Sequence, residues 1–190
     1  MRWQGAGLRA CVLAAALACI APGFPALAQP DDDNPVIGPG IARLEYGVYC
    51  AQEPDATEEA PGTAAGVVNL VSEIPAIRWP QFQVPADIGI GFGVIIETGD
   101  DRVLDPVIIT VTHPPFPDSG IEVEQWLTRI DGQSPSLHGF SFEYEAERVP
   151  GDWTFSASYK GQELYHVTFQ VLPGTAMPEF ALTCMGGAVS

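Results

Sequence analysis

The sequence predicts an all-β protein, an antiparallel sandwich of about eight short strands, with a barrel as the competing closure. Apolar and polar residues alternate in short runs, as expected when successive side chains point to opposite faces of a strand. Glycine, proline and aspartate separate these runs at regular intervals, which is typical of strands joined by turns. No helical periodicity follows residue 28, and this disfavours the helix-rich classes.

A hairpin predicted over residues 149–173 is the clearest element. Each arm alternates apolar and polar residues, and Gly161 supplies the turn between them. Leu164 falls on the polar face of the second arm in this pattern. Because an isolated hairpin is marginally stable in water, its apolar face must pack on other strands. That face consists of Trp153, Phe155, Ala157, Tyr159, Tyr165, Val167, Phe169 and Val171.

The first 28 residues have the features of a secretory signal peptide. Two arginines precede an apolar run at 11–20, and small residues end at Ala28, which predicts cleavage before Gln29. The run is shorter than the roughly 20 residues that span a bilayer, and its lack of a polar face disfavours a buried helix. We therefore predict a periplasmic or secreted protein. A lipoprotein acylated at Cys19 is less favoured, because the leucine expected three residues earlier is missing.

Removal of the signal peptide leaves six basic residues against 24 acidic ones, a net charge of −18. Such a surface repels phosphate backbones and anionic lipids, so we expect no nucleic-acid partner. No later segment is long and apolar enough to span a membrane. The remaining chain of about 160 residues fits one domain with its own core. The acidity favours solubility outside the cytoplasm, with attraction of cations or a basic partner as the functional alternative.

Two cysteines, Cys50 and Cys184, remain after the signal peptide is removed. Two such cysteines in an oxidising compartment most often pair, and we predict a disulfide between them. A metal-bound pair is the weaker interpretation, because no histidine or further cysteine lies at ligand spacing from either residue. A pair of free thiols is the remaining alternative.

The chain after the signal peptide is predicted to begin with a flexible leader at 29–40, rich in aspartate, proline and glycine. A first strand follows at 41–50, and an acidic loop insert without a pattern occupies 51–66. A short strand is predicted at 67–73. Three prolines within 74–86 indicate an edge strand or a covering loop, because proline cannot donate to a strand ladder.

Further strands are predicted at 88–98, 104–113, 121–130 and 138–145, and a short one at 179–184 in a C-terminal tail that spans 174–190. Glycines inside the first of these strands indicate a bulge or a close approach of backbones. They do not form a phosphate-binding loop, because no helix follows them.

Two of these strands differ in how clearly their faces are defined. The alternation at 121–130 is ambiguous, because Val123 and Leu127 oppose Trp126 and Ile130. At 138–145 the pattern is clean, with one apolar face formed by Phe140, Phe142 and Tyr144.

A set of short motifs occurs in a fixed order between residues 41 and 172. The most specific is the turn that runs from Pro150 through Gly151 and Trp153 to Phe155. The others lie at 44–49, 84–86, 92–93, 112–115 and 168–171. In this order they resemble the bacterial exported family known as domain of unknown function 3859.

This resemblance implies an immunoglobulin-like β-sandwich over residues 41–173 of an exported protein. It implies no established activity and no catalytic residues. The chain departs from the family pattern at the 51–66 insert and in the tail that carries Cys184.

No catalytic constellation is recognisable in the sequence. The Gly-x-Ser-x-Gly turn of a nucleophilic serine does not occur, and among 24 acidic residues a carboxylate pair says nothing about glycoside hydrolysis. None of the three histidines lies three or four residues from another, so there is no local metal motif. We therefore predict a non-enzymatic protein without a cofactor or a resident metal.

The expected role is an interaction or accessory module for an unknown exported protein partner. Its binding surface is predicted at the loops 114–120 and 131–137, because loops on a rigid scaffold often carry function. His113, Pro114 and Pro115 lead into the first of these loops.

A small-ligand binder, for carbohydrate or a metal ion, is the alternative. Carbohydrate binding requires an exposed ring face of Trp79 or Trp126. Metal binding requires two of the histidines to meet among carboxylates.

Overall fold

The computed structural model describes residues 34–186. The predicted signal peptide, its cleavage site at Ala28 and Gln29, and the alternative lipidation site at Cys19 lie outside the described residues. Within residues 34–186 no helix is long and apolar enough to cross a membrane. The described part is an antiparallel β-sandwich with one short helix, which confirms the all-β prediction.

Eleven strands and one α-helix make up the described part of the chain. The strands are β1 (Val36–Ile37), β2 (Ile41–Cys50), β3 (Ala56–Glu59), β4 (Val67–Leu70), β5 (Gln83–Ala86), β6 (Ile90–Thr98), β7 (Val103–Thr112), β8 (Val123–Asp131), β9 (Ser136–Ser141), β10 (Gly151–Tyr159) and β11 (Gln162–Pro173). The helix is α1 (Pro178–Gly186).

Two sheets face each other across one core. The larger has the order β1-β11-β10-β7-β8, with β5 paired parallel to β11, and the smaller has the order β2-β6-β9. The fully buried ring of Phe92 on β6 joins the two layers. Its centroid lies 5.4–5.6 Å from the rings of Trp153, Phe155 and Phe169 in the opposite sheet. Such edge-to-face packing is the preferred geometry of aromatic pairs.

The predicted hairpin is confirmed as β10 and β11, with Trp153 opposite Phe169. Lys160 and Gly161 form its two-residue turn, and both have positive φ angles, 50° and 79°. This geometry matches the right-handed twist of the paired strands. The predicted place of Leu164 on the polar face is wrong, because a register shift at Ala157 and Ser158 turns Leu164 inward.

The predictions for the chain ends need correction. The prediction of a flexible leader is wrong for residues 34–40. Val36 and Ile37 pair with β11, and the Asn34 side chain bonds both backbone groups of Thr168. The strand predicted at 179–184 is wrong, because those residues belong to α1. Proline favours the first turn of a helix, and the four-residue spacing of Phe180 and Cys184 places both on the side that faces the protein.

Two internal predictions also change. The acidic insert at 51–66 is not a loop without pattern, because its residues in β3 pair antiparallel with β4. Tyr144 does not share the buried face of Phe142, because β9 ends at Ser141 and Tyr144 precedes a single helical turn. The side chain of Tyr144 is therefore exposed.

The glycines predicted to mark a close approach in residues 88–98 do so. The ring of Tyr49 lies over Gly91, where an added Cβ would stand 2.1 Å from Tyr49 Cε2. On the neighbouring strand, a Cβ at Gly139 would stand 2.2 Å from the Tyr49 hydroxyl oxygen. Two glycines on paired strands thus form a slot for one tyrosine ring, which is 4% exposed. Burial raises the pKa of Tyr49 to about 12.

Replacing Gly91 by alanine is expected to destabilise the protein by about 2 kcal/mol, because the methyl group overlaps a ring that is held on both sides. Chemical denaturation measures this loss. The matched background is Tyr49→Ala, where the slot is empty and the second substitution is expected to cost much less. Equal costs in the two backgrounds would show that the ring is not the obstacle.

Candidate functional site

His113 lies in the core at the end of β7. Its ring is stacked between Phe116 at 4.1 Å and Trp153 at 4.4 Å between centroids. Nδ1 lies 2.8 Å from the Pro114 carbonyl oxygen, which makes Nδ1 the protonated nitrogen that donates this bond. Nε2 is buried and has no partner within residues 34–186. Because both ring faces are covered, His113 packs in the sandwich and does not present a ligand-binding face.

The two predicted binding loops lie at opposite ends of β8. Thr112 pairs with Val123 at one end of the strand, and Val103 pairs with Asp131 at the other. The strand has nine residues and therefore separates the ends by about 30 Å. In the first loop Pro115 is exposed, Pro114 is half-buried and Phe116 is buried. The two loops therefore do not form one continuous surface, and a binding role for either of them stays a prediction.

Neither predicted tryptophan is exposed as a flat platform. Trp79 stacks on Phe180 of α1 at 4.1 Å and forms an isolated bridge with Val48 of β2. Trp126 points inward from β8 and packs against the core. Both are half-buried.

The other two histidines lie in different environments. The side chain of His166 is on the surface and bonds Glu163 at 3.1 Å. His138 is 4% exposed, and its Nδ1 lies 2.7 Å from the Tyr165 hydroxyl oxygen inside the core. Burial lowers the pKa of His138 to about 4 and raises that of Tyr165 well above its usual value. Across residues 34–186 no three histidine, cysteine or acidic side chains are grouped to hold a metal.

A small cavity opens at the end of the sandwich near the β10–β11 turn. Its volume is about 140 Å³, and an ion pair of 2.6 Å between Asp100 and Arg102 contributes to its lining. Sites for small organic molecules are larger, about 300–1,000 Å³. The cavity therefore fits a few water molecules rather than a cofactor.

The outer surface of β7 and β8 carries an exposed apolar patch. We define the β7–β8 outer face by the residues that point away from the core, namely Ile108, Thr110, Thr112, Val123, Gln125, Leu127 and Arg129. Leu127 is 63% exposed, Val123 50% and Ile108 42%. Ile108 lies directly opposite Leu127, so their side chains form one apolar stripe across the two strands.

Around Ile108 and Leu127 the β7–β8 outer face is uncharged, and its only charged residue, Arg129, forms an ion pair of 3.6 Å with Asp131 at the end of β8. The neighbouring positions on β10 are also uncharged: Thr154, Ser156 and Ser158 lie beside Thr112, Thr110 and Ile108. The sequence pattern predicted the strand β8 but did not show which of its two faces is buried. The structure turns Glu124, Trp126 and Ile130 inward, which sends Val123 and Leu127 outward.

The insert at 51–66 packs against β8. The Gln125 backbone N–H donates to the Gly62 carbonyl at 2.9 Å, and the Ala64 N–H donates to the Glu124 carboxylate at 2.7 Å. Glu124 is only 5% exposed, so this bond satisfies a buried acid. On β4, the Asn69 side chain donates to Glu143 at 2.6 Å. The insert therefore covers the Glu124 end of β8 and leaves the other end open.

Comparison with known proteins connects this fold to one family. The model of the family described as domain of unknown function DUF3859 matches residues 39–171. The crystal structure of an immunoglobulin-like protein from Pseudomonas aeruginosa is similar, with a TM-score of 0.50 and 18% identity over 75% of this chain and 100% of that chain. This likeness shows an immunoglobulin-like fold. None of the curated proteins matches the chain.

Proposed function

The chain belongs to the DUF3859 family, and we propose that it is a non-enzymatic interaction module, periplasmic or secreted, that binds a partner protein through the β7–β8 outer face. The observation that carries this proposal is the exposed stripe of Ile108 and Leu127 in an almost uncharged surface. Exposed apolar patches with a polar rim are typical of protein interaction sites.

The distribution of charge supports the choice of surface. The cores of protein interfaces are depleted of charged residues, because charges must lose their water on binding. Across most of this chain acidic residues are frequent, yet the β7–β8 outer face holds three exposed aliphatic side chains, and its one arginine is paired with Asp131. The surrounding acidic surface remains available to attract a basic partner over longer distances.

The placement of the histidines supports a non-enzymatic role. General acid–base chemistry needs a titratable group within reach of a substrate. His113 and His138 are instead buried in the core, where His113 is covered on both faces and His138 is bonded to Tyr165. The remaining histidine, His166, bonds a surface carboxylate.

Export is supported by the disulfide. Cys50 and Cys184 are joined, as predicted, and such structural disulfides persist in oxidising compartments outside the cytoplasm. The predicted signal peptide at 1–28 accords with that location.

Substituting Leu127 by glutamate is expected to reduce recovery of a cross-linked partner from the native compartment by about tenfold or more, because a charge would be buried in the interface. Isotope-labelled quantitative mass spectrometry of the cross-linked, tagged protein measures this recovery. The matched control is Leu182→Glu on α1, where the leucine is equally exposed, at 65%. Equal recovery with both variants would reject this surface, and no partner enriched by the wild type would reject the interaction module itself.

A further inference from the structure

β8 is the last strand of its sheet, and half of its outer edge is open. The His113 N–H donates to the Glu122 carbonyl at 3.0 Å. Antiparallel pairs alternate between bonded and non-bonded, so Gln125 and Leu127 belong to non-bonded pairs whose backbone groups point away from β7. The bond from the Gln125 N–H to Gly62 confirms this direction. The pairing shifts register between Leu104 and Val107, opposite Arg129. β8 itself keeps its alternation there, with Arg129 exposed and Ile130 buried, so the N–H and C=O of Arg129 also point outward.

The insert accepts a hydrogen bond from one of these outward groups, the Gln125 N–H, and does not extend along the rest of the edge. Within residues 34–186 nothing bonds the outward N–H or C=O groups of Leu127 and Arg129. The insert approaches Gln125 closely enough that a Cβ at Gly62 would lie 2.4 Å from the Gln125 carbonyl oxygen. Its backbone therefore pairs with the edge of β8 at Gln125, and the adjoining edge offers the same groups to another chain.

We propose that the partner adds an extended segment as a new β-strand along the open edge of β8, at Leu127 and Arg129. This inference rests on the proposed function and names how the partner binds. Exposed edges are templates for strand addition because their backbone donors and acceptors are already aligned. The main chain then supplies the hydrogen bonds, and alternate side chains supply the selectivity.

The β7–β8 outer face determines which residue the added strand presents. The side chains of Leu127 and Ile108 lie side by side across the two strands. A residue placed opposite Leu127 on the added strand would continue this stripe, with Cβ atoms about 5 Å apart. The segment therefore carries an apolar residue, preferably aromatic or β-branched, at that position.

The occupant is a different polypeptide rather than a second copy of this chain. The insert at Gly62 and the bond from the Ser134 N–H to the Asp131 carbonyl limit the open edge to Leu127 and Arg129. So short a pairing of two copies gives few hydrogen bonds to offset the repulsion between two strongly acidic chains. The opposite charge is favoured, so the segment belongs to a partner of net positive charge.

The test first selects binders from a random library of peptides of about ten residues, with the disulfide-bonded protein as bait. The affinity of the selected peptides is then compared between two proline variants and their alanine controls. Proline is tolerated on an edge strand where the N–H faces solvent, and β7 does not use the N–H of residue 127 or 129. Arg129→Pro removes one edge donor, whereas Arg129→Ala removes the side chain and keeps the donor. Leu127→Pro and Leu127→Ala form the second pair.

Selected peptides are expected to bind Arg129→Pro about tenfold more weakly than Arg129→Ala, because an added strand loses a hydrogen bond and clashes with the ring. They should share an apolar position and a net positive charge. If the proline variants do not fold, slowed amide hydrogen exchange at Leu127 and Arg129 of the wild type with bound peptide gives the same readout. Equal affinity for proline and alanine variants, unchanged exchange, or a library that yields no binder would overturn strand addition.

These outcomes are separate from failure of the proposed function. If the native partner no longer binds Leu127→Glu but still binds Arg129→Pro, the β7–β8 outer face remains the binding surface and strand addition is rejected. A native partner that is insensitive to Leu127→Glu would reject the surface itself.

Discussion

Replacing Cys184 by alanine is expected to lower the free energy of unfolding by about 5 kcal/mol. The disulfide with Cys50 closes a loop with a sequence separation of 134 residues, which includes most of the chain after the signal peptide. Such a cross-link restricts the unfolded chain more than the folded one, and the chain-entropy relation gives this magnitude for a loop of that length. The effect is measured as the difference between the denaturant midpoints of oxidised wild type and variant, converted through a common m-value.

Two controls separate the cross-link from local packing. Adding a thiol reductant to the wild type should reproduce the loss, whereas the same reductant should leave Cys184→Ala unchanged. Cys50→Ala should match Cys184→Ala, because either change removes the same bond. A wild-type midpoint that does not respond to complete reduction would show that the disulfide stabilises little beyond the attachment of α1.

Elements with strong local patterns could be predicted from the sequence. The β10–β11 hairpin has eight alternating apolar residues and a glycine turn, and its register follows that alternation up to the shift at Ala157. The pairing of Cys50 with Cys184 followed from counting the cysteines left after signal cleavage. In both cases the physical cause acts locally or admits few alternatives.

Elements that depend on distant contacts could not be predicted in the same way. The tail forms the helix α1, and the ring of Phe180 on this helix stacks on Trp79, which lies about a hundred positions earlier in the chain. A contact at that distance in sequence is not visible in the local pattern of the tail. The short strand β1 exists because β11 offers it an edge, with Asn34 bonded to Thr168. Short segments have weak intrinsic preferences, and tertiary contacts decide their structure.

For the candidate surface, too, the local pattern predicted the strand, whereas contacts with distant residues decide which face is exposed. The spacing of Val123, Trp126 and Leu127 identified a strand but not which face would be buried. That choice depends on the insert, which satisfies the inward-facing Glu124 through the Ala64 N–H. The two predicted loops do not form one continuous surface, and the strand predicted at 121–130 between them already implied their separation.

His138 is buried in a cleanly alternating strand, and its burial has a consequence for stability. The side chain lies on the same face of β9 as Phe140, which directs it into the core against Tyr165. Burial disfavours the charged imidazolium and lowers the pKa of His138 from 6.5 to about 4. Below pH 6.5 the unfolded chain therefore binds a proton that the folded protein does not bind, and stability falls as the pH falls.

The expected contribution of His138 is a loss of about 2 kcal/mol in the free energy of unfolding between pH 7 and pH 5, rising to about 3 kcal/mol well below pH 4. Urea denaturation at a series of pH values measures it. His138→Gln keeps a polar partner for Tyr165 without the titration, so its stability should fall less over this interval by that amount. Carboxylates that titrate in the same range, such as Glu147, whose pKa is raised by burial, affect both proteins equally and cancel.

Tyr165→Phe distinguishes burial from hydrogen bonding as the cause of this pH dependence. The variant loses the bond to Nδ1 and should be less stable at every pH by about 1 kcal/mol. Its stability should still fall between pH 7 and pH 5 as in the wild type, because the imidazole stays in the core. A wild type and His138→Gln that lose equal stability over this interval would contradict the expectation, since His138 would then bind its proton as readily in the folded protein as in the unfolded chain.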